Sequence, residues 1–158
     1  MFSSLAIHEI ITKWRDELLN NPAINDFCQT KYGTHPKIFI GVDPNALPAQ
    51  SDCPYILIHS GSKTEGMNRK EYRYLIPVEW SISNTAKTVS GQVTELDGLY
   101  DMDAFGQLIL TALMTASPSN PISYLNYSTL REETFPQFTG RMEVKVSIFP
   151  AMGESISY

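Results

Sequence analysis

Cysteine is almost missing from this sequence. Only Cys28 and Cys53 occur. Two cysteines make no metal framework, and they suit free thiols in a reducing cytoplasm; the alternative is a Cys28–Cys53 disulfide. Histidine is also scarce. His8, His35 and His59 show no metal-ligand spacing, and His8-Glu9 opens HEIIT without the second histidine a zinc helix needs at i+4. No GxSxG elbow, GxGxxG loop or GxxxxGK[ST] loop is present, so neither a hydrolase nucleophile nor a phosphate cradle is expected. Asp101 and Asp103 could be imagined as paired carboxylates, but their place at a helix start is a sufficient structural reason for them. No catalytic residue, cofactor or metal is therefore expected, and the chain does not read as an enzyme.

Long apolar runs are lacking too. None approaches the roughly 18 residues of a membrane span, so no membrane partner is expected. The opening MFSSLAIHEIITKW has no basic n-region and carries Glu9, unlike a signal peptide. Charge is thin, at 18% against the roughly 25% usual in soluble domains. Thin charge suits a subunit that buries part of its outside against neighbours. The 17 acidic residues outnumber 12 basic ones, which argues against a general grip on nucleic acid.

What is present is a globular chain of 158 residues with 42% hydrophobic residues, enough for one domain over 1–158 and a full core. Ile7, Ile10, Ile11, Trp14 and Leu18 form one stripe of a helix over about Leu5 to Leu19, with Ser3 or Ser4 as its cap. Pro22 starts a second helix and Gly33 stops it. Apolar runs at Lys37–Val42 and Tyr55–Ser60 read as strands. Glu71–Asn84 alternates over twelve residues: Tyr72, Tyr74, Ile76, Val78, Trp80 and Ile82 share a face. Pro77 puts that strand at an edge or a bulge. A third helix spans about Met102 to Ala116, capped by Asp101 and closed by Pro118 and Pro121. It is so apolar that it needs cover on two sides. Ile122–Thr129 and Gly140–Phe149 complete the strands, and the latter can pair with Tyr72–Ile82. The expected class is α+β, a mixed or antiparallel sheet of about four to five strands with two to three helices on one face.

Charges are placed unevenly. Lys63, Arg69, Lys70 and Arg73 cluster around only Glu65 and Glu71, a local net of +2. Between Lys87 and Arg131 no base occurs, while Glu95, Asp97, Asp101 and Asp103 give a net of −4. Solvated faces account for both patches. So does a meeting of opposite patches between subunits, or an acidic pore through which DNA slides without sticking.

The opening amphipathic helix, KIFIG, the Pro-rich connection, DCPYILIHSG, the long alternating strand, the apolar third helix and the closing FPQFTGRMEVKVSIF together resemble tail terminator (tail completion) proteins of long-tailed bacteriophages. The likeness covers about Leu5 to Phe149. It implies an α+β subunit of a homo-oligomeric, hexameric ring that caps the tail-tube protein and presents a docking surface to the head-closure (connector) protein, with DNA passing through unbound. It also implies a virion protein of a phage or prophage tail, assembled in the host cytoplasm. In that setting Lys63, Arg69, Lys70 and Arg73 are candidate contacts with a subunit or the tail, and Glu95, Asp97, Asp101 and Asp103 are candidates for an acidic lumen. Another neck protein, head-closure or tail-tube, would look alike. From a different class, a small α+β enzyme or ligand-binding protein would place its site near Tyr72, Tyr74 and Trp80, with His59 as acid or base.

Overall fold

The computed structural model describes residues 7–64, 72–117, 122–129 and 135–148, and of the strand residues 123, 124, 129 and 148 only the backbone. Ser3, Ser4, Glu65, Arg69, Lys70, Glu71, Pro118, Pro121 and Arg131 lie outside the described residues.

Helix α1 (Ile7–Asn20) buries Ile10, Trp14 and Leu18, spaced four apart along one face. Complete burial of each such side chain contributes about 1.5–3 kcal/mol. Helix α2 (Pro22–Tyr32) follows after one residue. Asn21 caps it by accepting from the Ile24 N–H at 3.1 Å, and Pro22 sits in its first turn, where no N–H is needed. Gly33 ends it in the left-handed region at φ 70°.

Five strands form the principal sheet in the order β1 (Lys37–Ile40), β2 (Tyr55–Ile58), β4 (Tyr72–Ser83), β8 (Gln137–Ile148), β7 (Ile122–Thr129), with β3 (Ser62–Thr64) also paired to β4. The class is α+β as the sequence implies, with a mixed sheet: β1 and β2 run parallel, and the other pairs are antiparallel. Strands β4 and β8 pair over their full length, from Tyr72↔Ile148 to Ser83↔Gln137. Tyr72, Tyr74, Ile76, Val78, Trp80 and Ile82 are all buried against the helices, together with Met142, Val144 and Val146 of β8. The inner face is thus one continuous core with the stripes of α1, α2 and α3 (Asp97–Ala116).

Several expectations need correction. Among the described residues the sheet has six strands, because the short segment Ser62–Thr64 also pairs with β4. The segment 87–96, too short and polar to stand out, forms a separate hairpin, β5 (Lys87–Ser90) with β6 (Val93–Leu96), turning at Gly91 with φ 60°. Strand β8 starts at Gln137 and not Gly140. Helix α3 starts at Asp97, so Asp101 is not its cap but sits a full turn inside it. Pro77 sits where the ladder is interrupted, as its missing donor implies: β2 pairs as far as Val78, and β3 resumes at Leu75 with the register shifted by one residue. Its carbonyl accepts from the His59 N–H at 2.9 Å, on the side where β2 gives way to β3. A strand residue points its N and O the same way, so the missing donor faces a gap in the ladder.

The cover required by the apolar α3 comes from the sheet on one side and from α1 and α2 on the other. Trp14 of α1 donates to Ser117 at 3.1 Å, and Phe27 of α2 stacks on Phe105 with centroids 5.7 Å apart. Trp80 is held between two glycines. A side-chain carbon at Gly140 of β8 would strike its indole, and one at Gly106 of α3 would strike it from the helix side. Its Nε1 donates to the Met102 carbonyl at 2.9 Å.

Candidate functional site

The basic set does not form one patch. Lys63 faces Tyr74 across the β3–β4 pair, and its Nζ lies 4.5 Å from the centre of the Tyr72 ring. A cation over an aromatic face is attracted by the ring quadrupole. Arg73, one residue from Tyr74, faces Thr64 and points to the opposite side of the sheet. Arg69 and Lys70 lie outside the described residues.

The acids are more closely grouped, and each has a donor. Glu95 accepts from the Tyr100 hydroxyl at 3.1 Å, and Asp97 from Thr88 at 2.9 Å. Since Thr88 and Glu95 are register partners, both acids sit at one face of the β5–β6 hairpin. Asp101 is different: its side chain is only 15% exposed and binds Lys31 at 3.0 Å, Asn84 at 3.0 Å and the Tyr32 hydroxyl at 3.3 Å. It ties α3 to α2 and to the end of β4. Asp103 accepts from Tyr127 at 2.8 Å, joining α3 to β7. Burial, then these carboxylates, push the phenols of Tyr32 and Tyr127 well above the ordinary tyrosine range. Hydrogen bonding to Glu95 raises Tyr100.

The outer face of the sheet carries a group that the sequence does not advertise. Glu79 of β4 accepts from Arg141 of β8 at 2.9 Å, and His59 Nε2 lies 3.2 Å from the same carboxylate oxygen. That nitrogen is nevertheless buried without hydrogen-bond geometry to any described partner. Beside this group, Ser81 donates to the Phe138 carbonyl at 3.2 Å and accepts from Gln137 at 2.9 Å. Cys53 Sγ is 3.6 Å from Ser81 Oγ. Burial raises the Cys53 thiol and pushes Cys28 up to about 12, so both are poor nucleophiles at neutral pH; both are free.

His59 is therefore on the opposite side of the sheet from Tyr72, Tyr74 and Trp80, which are core residues packed under the helices. The aromatic groove of the enzyme reading is not where His59 points. Among the described residues no cluster of His, Cys, Asp and Glu could hold a metal ion, and no helix is long and apolar enough to cross a membrane.

Two surfaces are unusually wet for their composition. The β5–β6 hairpin is exposed on both faces, with Val89 68% and Val93 55% accessible, and Tyr100 beside it is 61% accessible. At the β1 edge, Phe39, Ile40, Gly41, Val42, Asp43, Ala46 and Pro48 line an open hollow of about 400 Å³. A scan of known protein families and a search of curated proteins find no match to this chain.

Proposed function

We propose that the chain is a structural subunit of a phage or prophage tail, a tail terminator whose copies close into a hexameric ring over the end of the tail tube. The observation that carries this reading is the hairpin. A two-stranded ribbon wet on both faces is marginal in water, and one that holds apolar Val89 and Val93 outward is completed by a neighbour. The helices cover one face of the sheet and the other carries charged side chains, Glu79, Arg141 and Glu143 among them, so one copy offers several unlike surfaces. Unlike surfaces make head-to-tail contacts, and those close into rings when the rotation permits. The resemblance in element order supports the hexamer, the tube below and the head-closure protein above. Within that assembly the acids Glu95, Asp97 and Asp103 either line the lumen or face another copy, while Asp101 is held inside the subunit by Lys31, Asn84 and Tyr32, and Lys63 and Arg73 meet a subunit or the tube.

The deciding experiment is reconstitution. Tube protein polymerising with this chain gives tubes that stop growing and carry a ring at one end by electron microscopy. Tubes that lengthen at the same rate with and without it overturn the reading. A second reading, a small enzyme or ligand-binding protein, rests on the His59–Glu79–Arg141 group. Turnover or ligand binding abolished by His59→Ala would establish it.

A further inference from the structure

We infer that residues 85–100, the β5–β6 hairpin together with the first turn of α3, form one hinged arm that opens as a unit while the core stays folded. The arm belongs to the single chain, so its opening is independent of the ring.

The base of the arm is a clasp. Asn84, just after β4, donates from Nδ2 to Asp101 at 3.0 Å, so residues 17 apart in sequence meet there. Both halves of the clasp are held from the core side. The Asn84 N–H donates to the Pro136 carbonyl at 2.9 Å, and Asp101 also binds Lys31 and Tyr32 of α2. Beyond Asp101, Met102 is buried and its carbonyl accepts from Trp80. The chain between the two residues is an excursion with its ends close together, the layout of an Ω-loop.

Burial falls away inside the clasp. Every residue from 85 to 95 is exposed, and so are Leu99 and Tyr100. Leu96 and Asp97 are half-buried. Gly98 is buried against the Phe138 ring, but it brings no side chain. Lys87 lies over the Phe135 ring at 5.1 Å, and Leu96 packs against the edge of the core. A segment with few buried apolar contacts and wet backbone hydrogen bonds has low local stability. Its release also restores the conformational entropy of every residue in it.

The hairpin and the helix start support each other. Leu96, at the N-terminus of α3, makes no side-chain cap. In its place the Asp97 N–H donates to the Ala86 carbonyl at 3.2 Å, the Thr88 hydroxyl to Asp97 at 2.9 Å and the Tyr100 hydroxyl to Glu95 at 3.1 Å. Gly98 disfavours helix in this turn. When the hairpin opens, the turn loses all three supports. The helix then shortens to the pinned Asp101, the start that the local sequence favours.

Hydrogen exchange of the whole chain, read amide by amide by NMR, tests the arm. In α3 the amides of 101–104 bond the carbonyls of 97–100, and the Phe105 amide bonds Asp101. The paired amides of β5 and β6 and the amides of 101–104 should share one protection factor, at least about a hundredfold below that of β4, β8 and α3 from Phe105 onward. Thr88→Ala and Tyr100→Phe, both at exposed positions, should each speed exchange about two- to tenfold in hairpin and turn alike, the net worth of one hydrogen bond, and leave the core unchanged. Hairpin amides as protected as those of β4 and β8 overturn the arm. A fast hairpin with amides 101–104 protected like the rest of α3 overturns its coupling to the helix, as do variants that move the hairpin alone.

Discussion

Gly106→Ala sets two effects of opposite sign against each other. In an open helix, alanine is better than glycine by about 1 kcal/mol. Here the new methyl would sit 2.8 Å from Trp80 Cε2, closer still to Cζ2, and 2.6 Å from the Tyr127 hydroxyl. Ordinary contact needs about 3.5 Å or more, so something must move. Trp80 cannot retreat toward the sheet, because its indole already rests on the backbone of Gly140. Its Nε1 is tied to the Met102 carbonyl, and Tyr127 is tied to Asp103. Displacing α3 would disturb both of these hydrogen bonds. Overpacking of this kind costs typically about 1–3 kcal/mol, and a site pinned on both sides belongs at or above the upper end. After the propensity gain, a net loss of about 2 kcal/mol is expected. For a chain near 150 residues that lowers Tm by about 4–8 °C. Urea denaturation followed by tryptophan fluorescence measures it directly. A variant as stable as wild type, or more so, would show that Trp80 is not clamped and that the α3–sheet packing is looser than described.

Ile109→Asp places a carboxylate at a fully buried position of α3, with no cation facing it in the core cluster. A loss of several kcal/mol is expected, so the variant should be unfolded or insoluble by circular dichroism; a soluble folded variant would mean the position is not buried. Alkali should unfold the protein. The Cys28 thiol is raised from 9.0 to about 12 by burial, and the Tyr32, Tyr55 and Tyr127 phenols are raised as well, chiefly by burial. A raised pKa means that the folded state holds its proton longer. That stability is complete below the unfolded pKa and is lost as pH climbs through the folded one. Phenolate absorbance should therefore rise together with loss of ellipticity above about pH 10. Full tyrosine ionisation at the ordinary pH with the fold intact would refute this.

The sequence by itself determined what depends on neighbours along the chain. The stripe Ile10, Trp14, Leu18, the Asn21–Pro22 and Gly33 punctuation, and the alternation of Tyr72 to Ile82 each have one low-energy local solution. Period and capping are encoded within a turn or two of the chain, and matching alternation made the β4–β8 pairing legible in advance. Tertiary structure decided what depends on register and on approach from elsewhere. Lys63 and Arg73 look like one cluster in sequence, yet pairing with β3 sends them to opposite faces. Asp101 reads as a cap, yet it binds Lys31 and Asn84, because the helix begins one turn earlier, after a hairpin with no strong local signal. His59, Glu79 and Arg141 meet only because β8 sets Arg141 opposite Glu79 and the chain just past β2 brings His59 opposite Pro77. Gly106 and Gly140 carry no pattern at all; their lack of a side chain gains meaning only when Trp80 arrives between them. Proximity across tens of residues is set by packing of whole elements, and no local run of residues contains it.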